Sequence, residues 1–402
     1  MLSKKNFFQN YKLNSNTFKR NFIKTKRVFE TFQLDFEGKV PLLQSYEKNY
    51  KMNFSFKSIK KFSKYKNIII FGMGGSILGS KCIYSFLNDK IKKKVFFFDN
   101  LDPNLHAQYR KIKDIKNSCF IVISKSGNTL ETITNLSIIF SNSLIRNKLI
   151  IITEIKDSAL SFIANKYGAE VIEHNNFIAG RYSVLSEAGM LPAMLMNLKI
   201  SRFKNIKNFL NNKFFVSSLL KSVAGIYTLY KQGFNNSVIL NYDSKLNNLG
   251  LWYQQLIGES LSKNGEGITP LLSPAPKDHH SMMQLYLDGP KDKIYTFFSS
   301  TNEKRKYKIS KSFIPKSMIF LKNKDLNSVL SAQREATINI FKKKKIPFRE
   351  FIFNKNREEE LGQIFTFFVL ETILLGNLLK INVFDQPAVE QVKIKTQEIL
   401  SN

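Results

Sequence analysis

Two doubly wound α/β units, each a mainly parallel sheet flanked by helices, are the architecture this sequence predicts, with a helical N-terminal arm and a C-terminal helix added. Three observations carry the prediction. Continuous apolar runs of four to six residues alternate with helix-length stretches, as strands buried on both faces of a covered sheet do. The alternation occurs twice, with a helical region between the two sets. Two runs of the first set end in glycine and hydroxyl residues, "GMGGSILGS" at 72–80 and "SKSGNT" at 124–129. Such strand-to-helix turns lie at the carboxyl ends of strands, where open α/β sheets bind ligands.

The elements follow in order. Residues 1–60 are polar and Lys-rich with helical patches, and read as an arm. The first unit, 61–222, holds "NIIIF" (67–71), "KVFFF" (94–98), "CFIVIS" (119–124), "KLIIIT" (148–153) and "AEVIEH" (169–174) as strands, then a helical region through "SEAGMLPAMLMNL". The second unit, 223–384, holds "SVILNY" (237–242), "KIYTFF" (293–298), "SMIFL" (317–321) and "PFREFIF" (347–353). The stretch "GQIFTFFVLETILLGNLLKI" (362–381) is long and apolar enough to suggest a membrane span. Gln363, Thr366, Glu371 and Thr372 make it a core helix at a domain junction instead. Residues 385–402 form a polar-faced helix.

Composition narrows the function classes. With 402 residues, 43% apolar and 13% aromatic, the chain can bury a sizeable core. The net charge of +31 comes mostly from scattered Lys with short runs such as "KKKK" at 342–345, and no nucleic-acid reading motif accompanies it. Such a positive field attracts anionic metabolites. Cys82 and Cys119 are too few for a disulfide framework, and "MLSKKNFFQNYKLN" lacks the apolar core of a signal peptide. The expectation is a cytoplasmic protein without nucleic-acid or membrane partners. Four dispersed histidines and two cysteines 37 positions apart give no metal-binding spacing.

The two glycine and hydroxyl stretches point to an anion. In "GMGGS", Gly75 and Ser76 open the helix after the first strand, although the spacing is not that of a dinucleotide loop and a ligand-free tight turn stays open. Asp99, at the end of the next strand, keeps a nucleotide reading open as well. In "SKSGNT", Ser124, Ser126 and Thr129 supply hydroxyls, Lys125 supplies charge and Gly127 permits a left-handed turn. Together these make a phosphate cup. No G-K-[ST] ending follows, so nucleoside triphosphates are not the ligand.

That "SKSGNT" loop resembles the phosphosugar-binding sugar-isomerase domain, and three further stretches resemble the glucose-6-phosphate isomerase family. These are "AGRYSVLSEAG" (179–189), "YQQLIGESLSKNGEGITP" (253–270) and "FDQPAVEQVK" (384–393), with Ala179 and Ala388 where the family has glycine. The resemblance implies two sugar-isomerase domains, a metal-free and cofactor-free aldose–ketose isomerisation, and a homodimer. It implies Glu259 as the base that moves a proton between C2 and C1, which a carboxylate does best when apolar surroundings such as "LWYQQLIG" desolvate it. It implies Arg181 as the fixed charge that stabilises the enediolate oxygen. His280, supplied by the neighbouring subunit, and Lys393 are the implied ring-opening pair, and Gln255 and Gln386 the implied donors to phosphate or sugar. In "DHHSMMQ" adjacent side chains on a strand face opposite ways, so His279 is expected to face solvent or stand behind His280. Glu131 and Glu187 read as capping or salt-bridging carboxylates. Two other functions stay open: a bifunctional phosphoglucose/phosphomannose isomerase, and a non-catalytic sugar-phosphate-binding regulator on the same domains.

Overall fold

Every apolar run assigned to the first unit becomes a strand. A computed structural model describes residues 2–8, 15–35, 40–140, 147–301, 307–354 and 356–402. In chain order the strands are β1 (Leu2–Phe7), β2 (Asn67–Gly72), β3 (Lys94–Phe98), β4 (Ser118–Ile123), β5 (Leu149–Thr153) and β6 (Glu170–Glu173). The second set is β7 (Asn236–Asn241), β8 (Thr269–Pro274), β9 (Lys293–Ser300) and β10 (Phe348–Phe353). They form two sheets, ordered β3-β2-β4-β5-β6 and β8-β7-β9-β10-β1. All pairings are parallel except that of β1 with β10. β2, β4 and β5 are buried along their whole length, which is why they read as unbroken apolar runs.

The two sheets are wound alike. In each, the strand that comes first in the unit lies between the second and the third, and the fourth follows beyond the third. The chain therefore reverses direction across β2 and β4 in one sheet and across β7 and β9 in the other. These are the switch points where such sheets form ligand crevices.

Three local features differ from expectation. The arm contains the Ser15–Asp35 helix and also β1, which adds antiparallel to β10 at the sheet edge. Its Lys-rich sequence carries no apolar signal, because an edge strand is held by backbone bonds. β8 was not anticipated: "TPLLSP" carries two prolines, which an edge position tolerates. "SMIFL" is not a strand but part of the 3-10 turn Lys316–Leu321, with no residue buried. The places beside β9 are already taken by β7 and β10, so its apolar side chains remain on the surface.

The long apolar helix, Glu358–Leu379, is buried over most of its length, as expected of a core element. Glu371 within it is fully buried and pairs with buried Arg349 of β10. Arg349 also donates to Thr296 Oγ1 (2.9 Å), Ser222 Oγ (2.6 Å) and the Tyr253 hydroxyl (3.1 Å). A charge in this core is tolerable because it is paired and hydrogen-bonded.

Candidate active site

The carboxyl ends of β2 and β4 lie side by side, with Gly72 opposite Ile123, so the two glycine and hydroxyl loops emerge together. Gly75 starts the Gly75–Leu87 helix against the backbone of the 179–185 segment. A Cβ there would run into the Gly180 carbonyl and come within 2.5 Å of the Arg181 amide nitrogen. Glycine at 75 thus lets the Arg181 segment dock on the first sheet. Ser76, next on that helix, is half-buried.

In the second loop the buried Ser124 hydroxyl lies 2.7 Å from Thr129 Oγ1. Gly127 has φ +73°, the left-handed turn foreseen for it. Ser126 is exposed, its hydroxyl accepting the Asn128 amide at 3.2 Å. Thr129 leads into the Leu130–Ile139 helix, whose first turn takes no side-chain cap. Uncapped amides and converging hydroxyls at a helix start suit an anion. Lys125 donates to the Asn176 carbonyl at 2.6 Å and lies 3.9 Å from Glu154 Oε1. Burial holds its ammonium below the ordinary lysine range; Glu154 opposes this, while Lys156 and Arg181 add to it.

Arg181 is the most constrained group in the region. It sits in the 3-10 segment Gly180–Leu185 with 1% of its side chain exposed. All five N–H donors are used. Nε donates to Ser260 Oγ (2.8 Å), and one terminal nitrogen to Glu259 Oε2 (3.4 Å) and Gln386 Oε1 (2.8 Å). The other terminal nitrogen donates to the carbonyls of Val383 (2.6 Å) and Asp385 (3.0 Å). A planar five-donor fork is what allows one side chain to tie three chain segments together.

Glu259 and Ser260 come from the Asn247–Leu261 helix, which turns Trp252, Tyr253, Leu256 and Ile257 into the core. The Glu259 side chain is 29% exposed. Trp252 and Leu256, seven and three residues earlier, share its side of the helix, so Glu259 sits at the edge of the buried face, partly shielded by apolar neighbours. Its Oε1 accepts from Gln255 Nε2 at 2.8 Å, one turn earlier. Two residues of this network were missed at the sequence level. Ser260 Oγ accepts a hydrogen bond from Arg181 Nε, and the Tyr182 hydroxyl, 2.9 Å from Ser260 Oγ, donates to the Val383 carbonyl at 2.9 Å. Their only sequence signal is adjacency to Glu259 and Arg181.

Arg181, Glu259, Gln255 and Gln386 thus converge beside the 72–80 loop, where a Cβ on Gly74 would come within 2.7 Å of Gln255 Nε2. His280 and Lys393 do not join them within this chain. His279 ends the 3-10 turn Lys277–His279 and His280 follows it, so the strand argument about opposite faces does not apply. His279 is half-buried, with Nε2 2.7 Å from the Tyr242 hydroxyl, and burial, reinforced by His280, lowers its pKa. The His280 side chain is exposed, and among the described residues it makes no hydrogen bond. Lys393 pairs with Glu390 Oε2 at 3.1 Å on the Pro387–Ser401 helix, which has no buried residue. Glu187 is fully buried and accepts from the Tyr50 hydroxyl (3.2 Å) and the Asn53 amide (3.1 Å), a structural role. Among the described residues no group of three His, Cys, Asp or Glu side chains could hold a metal ion.

Residues 53–402 match the family model described as phosphoglucose isomerase. The glucose-6-phosphate isomerase of Methanocaldococcus jannaschii is 34% identical over 345 residues, covering 83% of this chain and 84% of that protein. The probable glucose-6-phosphate isomerase of Methanococcus maripaludis is 32% identical over 359 residues, covering 85% and 81%. Among solved structures, a hypothetical protein from Thermus thermophilus superposes with a TM-score of 0.84 at 21% identity, over 96% of this chain and 97% of that one. A glucose-6-phosphate isomerase from Chlamydia trachomatis gives 0.72 at 19% identity, over 86% and 72%. These two show the fold.

Proposed function

The chain belongs to the phosphoglucose isomerase family, and from that membership we infer that it is a glucose-6-phosphate isomerase. It interconverts D-glucose 6-phosphate and D-fructose 6-phosphate, a reversible aldose–ketose isomerisation of glycolysis and gluconeogenesis. The following assignment of residues is our reading. The phosphate sits in the cup of Ser124, Lys125, Ser126 and Thr129, with Gly75 and Ser76 beside it. His280 of a second copy and Lys393 open the sugar ring by moving a proton between the C1 or C2 hydroxyl and the ring oxygen. Glu259 takes the C2 proton of the open aldose and returns it to C1, and Arg181 stabilises the enediolate between the two steps. Gln255 and Gln386 hold Glu259 and Arg181 and donate to the substrate. The observation that carries this reading is a fully bonded, buried Arg181 holding Glu259 Oε2 at 3.4 Å, docked against Gly75 of the 72–80 loop. Since Arg181 supplies the charge and no electrons leave the substrate, the mechanism calls for neither metal nor organic cofactor.

The homodimer is part of the same proposal. The His280 side chain is exposed and makes no hydrogen bond among the described residues, and the helix that bears Lys393 exposes Val389, Val392, Ile399 and Leu400 by 43–69%. A second copy laid on this side covers that apolar surface and brings in the histidine. The substrates place the enzyme in the cytoplasm.

A coupled assay tests the function: fructose 6-phosphate is supplied, and glucose 6-phosphate is read by its oxidation with a dehydrogenase. Turnover that survives a chelator is expected. No conversion overturns the function, and chelator-sensitive conversion overturns the metal-free mechanism. In Thr129→Ala the lost charge-assisted hydrogen bond is worth about 1.5–3 kcal/mol, roughly 10- to 150-fold in KM with kcat little changed. Unphosphorylated glucose is not turned over. A KM equal to wild type would reduce the loop to a capped turn. Arg181→Lys keeps the charge but not the fork, so kcat falls roughly 10²- to 10³-fold. Its melting temperature also drops, because the Val383 and Asp385 carbonyls lose their donors. Wild-type kcat in that variant would remove Arg181 from the chemistry.

A further inference from the structure

The second sheet repeats the winding of the first, and its own switch point opens into a cavity of about 490 Å³. Small-molecule sites run to roughly 300–1,000 Å³. The cavity lies between the carboxyl ends of β7 and β9, lined by Tyr242–Lys245 on one side and by Ser300 and Thr301 on the other. The first turns of the Leu326–Lys343 helix close it. Strand for strand, this is the place that the 124–129 loop occupies in the first sheet, since β9 stands to β7 as β4 stands to β2. None of its lining residues belongs to the Arg181 network or to the cup.

The lining has a definite chemistry. Ser244, Ser300, Thr301 and Ser331 line it together with Leu326 and Leu330, and the Thr301 hydroxyl donates to Asn354 Oδ1 at 2.8 Å. Lys245 contributes a cationic side chain, paired 2.6 Å from Asp89. Asp243 Oδ1 accepts the Lys245 amide at 2.9 Å, which leaves Oδ2 for a ligand hydroxyl. The Tyr242 ring is fixed from behind, its hydroxyl bonded to His279 and to Thr337 Oγ1 at 3.0 Å. Several hydroxyls, an ammonium shared with Asp89 and one carboxylate against an apolar wall suit a small anionic polyol: hydroxyls and the shared ammonium for the anion, carboxylate for the polyol. Both sheets set hydroxyl residues at this locus, Ser124 there and Ser300 and Thr301 here.

We propose that the β7/β9 cavity is a second binding site for a phosphorylated sugar, separate from the active site. The probe is glucitol 6-phosphate, which has no carbonyl to isomerise, titrated calorimetrically into the full chain. Wild type takes up two equivalents per chain. Ser331→Trp, at an exposed helix position on the cavity wall, fills the space and takes up one, with kcat and melting temperature unchanged. Thr129→Ala weakens the other equivalent about tenfold or more and spares this one. Unphosphorylated glucitol binds at neither place. If Ser331→Trp does not fold, Thr301→Asp, which sets a carboxylate at the exposed rim, removes the same equivalent. One equivalent in wild type, abolished by the Thr129 change, overturns the second site and leaves the isomerase reading standing. Two equivalents that both survive blocking of the cavity also overturn it.

Discussion

Glu259→Gln is expected to lower kcat by about 10²-fold or more while KM stays near the wild-type value. The amide has the shape of the carboxylate: its oxygen still accepts from Arg181, and its NH2 donates to Gln255 once that amide turns to present its unpaired Oε1, so the substrate site persists. What it lacks is a lone pair basic enough to take the C2 proton. Folding contributes little to the loss, because the side chain is 29% exposed and its ion pair with Arg181 is one of five bonds that hold the guanidinium. A melting temperature close to wild type therefore accompanies the kinetic defect. Exchange of the C2 hydrogen with deuterated solvent, followed by NMR, stops in the variant along with turnover. A kcat within about tenfold of wild type would remove Glu259 from the base role.

How far the sequence anticipated this molecule depended on whether the deciding contact was local. β2, β4 and β5 lie in the middle of a covered sheet, and burial on both faces leaves its mark on every residue. β1 and β8 sit at sheet edges, where a Lys-rich or Pro-bearing segment pairs through its backbone and leaves no apolar signature. "SMIFL" shows the converse error: an apolar run whose expected place is filled by other strands stays on the surface. Arg181, Glu259, Gln255 and Gln386 were legible because each sits in a short motif. Ser260 and Tyr182 were not, since their roles arise only when residues 180–185, 247–261 and 383–386 meet in space. The surroundings of Glu259 were legible only in part: Trp252 and Leu256 share its side of the helix, while the side chain keeps 29% exposure at the edge of the buried face. The like winding of the two sheets was visible in the repeated alternation of runs, but the cavity of the second sheet required the positions of β7 and β9.

The second large effect, which bears most directly on the account, is the recovery of activity in a mixed dimer. Within one chain His280 is exposed and stands outside the Arg181–Glu259 network, so the proposed mechanism takes its histidine from a second copy. In a twofold dimer each chain lends its histidine and receives the other's. Glu259→Gln and His280→Ala are each expected to be inactive alone. When the two are mixed and allowed to exchange, half of the dimers are heterodimers. One of their sites carries both defects, while the other joins the intact Glu259 of one chain to the intact His280 of its partner. Activity therefore returns to roughly a quarter of wild type, with exchange verified by two different tags. Verified heterodimers that remain inactive would contradict the account, because His280 would then act within its own chain or not at all.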